Sequence, residues 1–176
     1  FSFVPETTAK NCRYSGDTMT AIGHKRTLNI ANVMNARALL ACLDGSGSDV
    51  EWAAVSELRG REDICELLLS HFRASPRWQV RASCVYHATR YAESDENAFL
   101  LGVLATRDRA QVVRYRAAML LAVAQRDSGI EPLRVMQSHH TKSAPDAAAA
   151  ISAIEGKNRN LFVDRDGSGM TTLVVN

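Results

Sequence analysis

Apolar and polar positions alternate with a helical period along most of the chain, and between Trp78 and Gln137 one unit of that pattern is written twice. Val80-Arg81-Ala82-Ser83-Cys84-Val85 aligns with Val113-Arg114-Tyr115-Arg116-Ala117-Ala118 at a spacing of 33 residues. The same offset sets Ala88 on Leu121, Tyr91 on Ala124, Leu100 on Leu133 and Val103 on Met136. Each copy carries an apolar stripe at i, i+4, i+8 and i+11, then a polar break and a second apolar stripe, which places the side chains on one face of a helix. A unit of this length made of two helices cannot bury its apolar face alone and predicts an α-solenoid.

The rest of the chain is read outward from those copies. Residues 1–26 are mixed and polar, with Pro5, Gly16 and Gly23 and no sustained period, and read as an N-terminal arm. A helical pattern starts at Thr27 and ends at Asp44-Gly45-Ser46-Gly47, where glycine tolerates the left-handed conformation that closes a helix. Ser48-Asp49-Val50-Glu51 reads as a capping box opening a helix with Val50, Ala54 and Leu58 on its apolar face, paired with a second helix bearing Ile64, Leu67, Leu68 and Phe72. Ser75-Pro76 reads as an N-cap followed by proline at the first helical position, opening the helix of Val80, Cys84, Ala88 and Tyr91. After Ser94-Asp95-Glu96 comes its partner, with Ala98, Leu100, Leu101, Val103 and Leu104. The second copy follows, with Ser128-Gly129-Ile130-Glu131 as a further capping box, and a last helix opens at Ser143-Ala144-Pro145-Asp146. Gly156 stops it, and Leu161-Phe162-Val163 and Thr172-Leu173-Val174-Val175, flanking a glycine-rich turn, predict a small β-hairpin that caps the stack. The expected organisation is an arm (1–26), a helical repeat domain of three to four helix pairs (27–158) and a hairpin cap (159–176).

Composition narrows the class without naming a partner. A 176-residue chain with 46% hydrophobic and 23% charged residues suits one globular domain. The net charge of +2 demands neither nucleic acid nor membrane. The charge is uneven, however: His71 to Lys142 holds 11 Lys/Arg against 6 Asp/Glu, and 17 of the 21 basic residues of the chain are Arg. Arginine forks suit a ladder within the fold or an acidic partner. Cys12, Cys42, Cys65 and Cys84 are widely spaced, so neither a disulfide framework nor a zinc site is expected, and a reducing, cytoplasmic compartment fits. No apolar run approaches the ~20 residues needed to span a bilayer, and the opening Phe1-Ser2-Phe3-Val4-Pro5 is too short for a signal peptide.

Val113-Arg114-x-x-Ala117-Ala118 resembles the core motif of HEAT-like repeats, especially the short kind found in phycobilisome-lyase proteins. Val80-Arg81-x-x-Cys84 matches it less fully, and the resemblance covers about residues 48–155. It implies an all-α, α-α superhelix in which the Val and small residues pack between repeats and Arg81 and Arg114 brace neighbouring turns. The first pair departs from the motif with Glu51 at the Arg position, and the last with Ala147.

Candidate chemistry is sparse. Asp164-Arg165-Asp166-Gly167-Ser168-Gly169 imitates the start of a calcium loop, yet position 12 is Val175 where a bidentate Glu is needed, so a tight hairpin turn is the better reading. His139-His140 lacks a third ligand nearby in sequence. His87 beside the core stripe reads as a satisfied helix histidine, and His71 as a cation at a helix end. Trp52 and Trp78, each near a helix start, read as packed between repeats. No nucleophile elbow, metalloprotease motif or phosphate-binding loop occurs. The expected function is therefore non-enzymatic and cofactor-free: recognition of another protein with an acidic surface, as an adaptor or a bacterial toxin inhibitor. The contact surface is expected from the outward residues of the second helices and from Arg107, Arg109, Arg116, His71, Arg73 and Arg134. The alternative is a nucleic-acid-binding HEAT-like protein, in the extreme a DNA glycosylase, which would need a basic concave face and a carboxylate near aromatic residues.

Overall fold

The computed structural model describes residues 35–163 and 172–175. The N-terminal arm, the first turns of the Thr27 helix, Cys12 and the calcium-like Asp164–Gly169 turn lie outside the described residues. Over the described residues the chain is all-α, with no strand. Helical residues 35–41 (α1) are followed by α2 (Asp49–Leu58), α3 (Ile64–Ala74), α4 (Trp78–Ala88), α5 (Glu96–Ala105), α6 (Gln111–Ala124), α7 (Ile130–His139) and α8 (Ala144–Glu155).

Among helices consecutive in the chain, the extensive pairings are α3 with α4, α5 with α6 and α7 with α8, one helix out of phase with the unit read from the repeat. Helices α4, α6 and α8 stack side by side in one layer, and α3 packs on α5 in another. Small side chains allow this approach: Ala82, Cys84 and Ala88, then Ala117 and Ala118, then Ala147, Ala150 and Ala153 are buried along the layer. Between α5 and α6 the approach is close at Gly102, where a Cβ would stand 2.4 Å from Leu120 Cδ2. Helix α2 is set farther off, and meets α4 through the large side chains of Trp52, Tyr86 and His87.

Several boundaries differ from the sequence reading, each for a hydrogen-bonding reason. In α2 it is Glu51, Ala54, Val55 and Leu58 that are buried, while Val50 is 62% exposed. Ser48 Oγ does accept from the Glu51 amide, as a capping box requires. The carboxylate, however, takes the Gly45 and Gly47 amides and the Ser83 hydroxyl instead of the Ser48 amide. Ser75-Pro76 is not a helix cap: α4 starts after Arg77, and the Ser75 and Pro76 carbonyls accept from Arg81. Likewise Ser128 lies in a 3-10 turn (Asp127–Gly129). Helix α8 does open after Ser143 as expected, but Ser143 Oγ accepts from Arg114 and not from an amide of α8. Asp95 does cap α5, accepting from Ala98 N at 2.9 Å.

The predicted hairpin cap is corrected in both of its described arms. Residues Arg159–Phe162 form a 3-10 turn against α8, and Thr172–Val175 are not strand. Phe162 is fully buried with its ring 6.0 Å from that of Tyr115, and the Leu173 amide donates to Asn160 Oδ1 at 3.0 Å. Asn158 selects the turn, because its side chain accepts from the Asn160 amide and starts a local fold before any strand partner is met.

Candidate functional site

The turns preceding α4, α6 and α8 lie along one edge and are stitched together by hydrogen bonds that span one repeat. Arg81 donates through Nε and Nη2 to both oxygens of Asp108, at 2.6 and 2.9 Å, and through Nη1 to the Ser75 and Pro76 carbonyls. Arg114 donates to the Asp108 carbonyl at 2.7 Å and to Ser143 Oγ at 2.9 Å. Arg109 reaches back to the Pro76 carbonyl, and Gln111 forward to that of Lys142. Burial pushes the Asp108 carboxyl up, but the Arg81 fork and the Ala110 amide outweigh it and hold it below the usual carboxylate range.

Consuming Asp108 inside the ladder changes the electrostatics of the edge. Among the described residues, no carboxylate stands within ion-pair distance of Arg73, Arg77, Arg107, Arg109 or Lys142, all of them exposed. Trp78 (43%) and Val112 (42%) are exposed on the same edge. The opposite edge is different: Arg126 pairs with Glu96, Lys157 with Asp127 and Arg159 with Glu93. Those three cations are locally neutralised.

Of the residues expected to form the contact surface, His71, Arg73, Arg107 and Arg109 come together on the cationic edge. His71 is half-buried, its imidazole pushed down by burial, and lines a hollow of about 240 Å³ with Leu43, Pro76 and Arg77. Arg134 is elsewhere, on α7, 3.8 Å from Glu155. Arg116 is also elsewhere: it is half-buried, donates to the Ala82 carbonyl at 3.1 Å and lies 4.8 Å over the Tyr86 ring. The outward face of α3, α5 and α7 carries Glu66, Glu96 and Glu131 as well as Arg134, so it is of mixed charge. Sequence reasoning missed Arg77 and Lys142, although Lys142 stands 33 residues after Arg109 and the repeat itself marks it; Trp78, expected to be packed between repeats, is instead exposed.

Sequence reasoning also missed a polar crevice of about 260 Å³ between α2, α4 and α6, lined by Gly45, Gly47, Glu51, Trp52, Ser83, Tyr86, His87 and Arg116. Glu51 is 2% exposed, its charge held by two loop amides and the Ser83 hydroxyl. His87 Nε2 lies 3.8 Å from Glu51 Oε1, and its buried Nδ1 has no hydrogen-bond partner. The rings of Trp52 and Tyr86 meet that of His87 edge-on, at 5.3 and 5.1 Å. Burial pushes the His87 imidazole down to about 4; Glu51 opposes this and the Arg59 and Arg116 charges add to it. Serine, histidine and glutamate thus share a site, but in the wrong order for a nucleophile. Ser83 bonds the carboxylate instead of a base, and is itself buried.

Cys65 and Cys84 are free and buried, and burial pushes both thiols up to about 12. Among the described residues no helix is long and apolar enough to cross a membrane, and no three His, Cys, Asp or Glu side chains are grouped to hold a metal ion. No known protein family, curated protein or solved structure matches the chain.

Proposed function

We propose that this chain is a non-enzymatic interaction module, a HEAT-like α-α superhelix that docks an acidic surface of another protein along the edge formed by the turns before α4, α6 and α8. The observation that carries this reading is the row of exposed Arg73, Arg77, Arg107, Arg109 and Lys142, with the one acidic side chain of the α5–α6 turn withdrawn into the Arg81 fork. An exposed aromatic ring and a branched aliphatic side chain within a cationic row supply the anchor that charge alone lacks. The docking site therefore moves from the second-helix face to the turn edge. The repeat at 33-residue spacing, the stacked α4, α6 and α8 and the bracing by Arg81 and Arg114 support the HEAT-like reading. The buried free thiols fit a reducing, cytoplasmic setting.

Fluorescence anisotropy with a glutamate-rich peptide tests it. The triple variant Arg77→Glu, Arg107→Glu, Arg109→Glu should weaken binding at least about tenfold while circular dichroism stays unchanged. Equal binding by the variant overturns the assignment. The same unpaired cations also suit a phosphate backbone, so a short duplex DNA is the second probe. Tighter, steeply salt-dependent binding to the duplex would select the nucleic-acid reading.

A further inference from the structure

The crevice between α2, α4 and α6 plays no part in the turn edge, and its groups are unlike the rest of the repeat. Elsewhere in the layer alanines fill the space between successive helices. Between α2 and α4 the sequence places two large aromatic rings, a histidine, a serine and a buried carboxylate, and Arg116 reaches in from α6. A larger hollow of about 600 Å³ lies beside Asn35, but Glu57, Glu62 and the closed Arg61–Asp63 pair line it and no buried unpartnered group faces it.

The charges around the crevice decide what it can hold. Glu51 already accepts from the Gly45 and Gly47 amides and the Ser83 hydroxyl. Arg116 uses one nitrogen on the Ala82 carbonyl, and among the described residues has no carboxylate within ion-pair distance. Arg59 lies over Trp52 at 5.9 Å, and its Nε and Nη2 are buried without a partner. Two guanidinium groups against one carboxylate leave the neighbourhood positive, with His87 neutral. Each aromatic ring already carries a guanidinium over one face, at 5.9 and 4.8 Å, and the repulsion of these charges disfavours a cationic ligand there. A volume of about 260 Å³ holds one ring and its substituent and is too small for an extended cofactor.

We infer that this crevice binds a small planar carboxylate, its acid group paired with the free nitrogens of Arg116 and its ring against Trp52 and Tyr86. The Arg fork matches a carboxylate in a bidentate geometry. The ligand is a single aromatic or conjugated acid, and it binds independently of any partner at the turn edge.

Benzoate is the probe and benzylamine its cationic counterpart. Trp78→Phe leaves Trp52 as the single tryptophan, since the chain has two. Benzoate should quench the Trp52 fluorescence saturably with Kd on the order of 1 mM. Arg116→Gln in that background should weaken binding about tenfold, and Arg109→Gln should leave it unchanged. The unsubstituted protein provides a second measurement, in which benzoate shifts the NMR resonances of the Trp52 indole and the Arg116 side chain. Non-saturable quenching, benzylamine binding as tightly as benzoate, or shifts clustered at Arg77, Arg107 and Arg109 would overturn the inference.

Discussion

Acidification should weaken the fold through His87, and the size of the effect follows from where the ring sits. The imidazole is 4% exposed, wedged between Trp52, Tyr86 and Glu51, with the Arg59 and Arg116 guanidinium groups nearby. In the unfolded chain it protonates near its ordinary value of 6.5, whereas in the fold burial holds it down to about 4. The folded-state value is the lower one, so the unfolded state binds the proton first. Stability is fully present above pH 6.5 and is lost progressively as pH falls toward 4. Two and a half pH units at about 1.4 kcal/mol each amount to roughly 3–4 kcal/mol, a large share of the total for a small domain. The assay is urea unfolding of the native protein and of His87→Gln at several pH values across that window. The readout is the difference in slope, because the substitution itself costs stability at every pH. Other histidines held low by burial, His71 and His140, cancel in that difference. Asp44, Asp63 and Asp108, held low by their hydrogen bonds, act only at more acid pH. Parallel curves for the two proteins would refute the reasoning. So would a native protein that gains stability on acidification, since the proton would then be shared favourably with Glu51.

Two further perturbations test the internal braces. Asp108→Asn breaks a buried fork and leaves the Arg81 guanidinium with neutral acceptors, so it should cost about 3 kcal/mol. Asp63→Asn removes the more exposed pair with Arg61 and should cost less than about 1 kcal/mol; equal thermal shifts for the two would show that the fork does not hold the turns. Gly45 and Gly47 both have positive φ, at +77° and +68°, but a Cβ on Gly45 would meet the Gln79 carbonyl oxygen at 2.4 Å whereas one on Gly47 meets nothing within 4 Å. Gly45→Ala should therefore destabilise by about 2 kcal/mol or more, and Gly47→Ala by about 1 kcal/mol, in chemical denaturation. The reverse order would show that the loop does not pack on α4 as described.

What the sequence determined alone was the local periodicity: helices at nearly every place where apolar residues recur at helical spacing, and the 33-residue offset that makes Arg81 and Arg114 equivalent. Those signals are local, because a helix needs only its own backbone hydrogen bonds and one apolar stripe. The destinations of the polar side chains were decided by the tertiary structure. Ser75 and Pro76 look like helix-start residues in isolation, yet in the fold they accept hydrogen bonds from Arg81; Ser143 does precede α8, but its hydroxyl accepts from Arg114. Glu51 displaced Val50 from the buried face of α2, because the amides of Gly45 and Gly47 and the hydroxyl of Ser83, 32 residues on, converge on its carboxylate. Arg109 and Arg116 are close in sequence but part company: one sits in the turn before α6 and the other inside the helix, facing Tyr86. Periodicity states which face of a helix is apolar. Only the packing of helices brought from some thirty residues away states which donor a buried acceptor will meet, and so separates a cationic edge from an enclosed crevice.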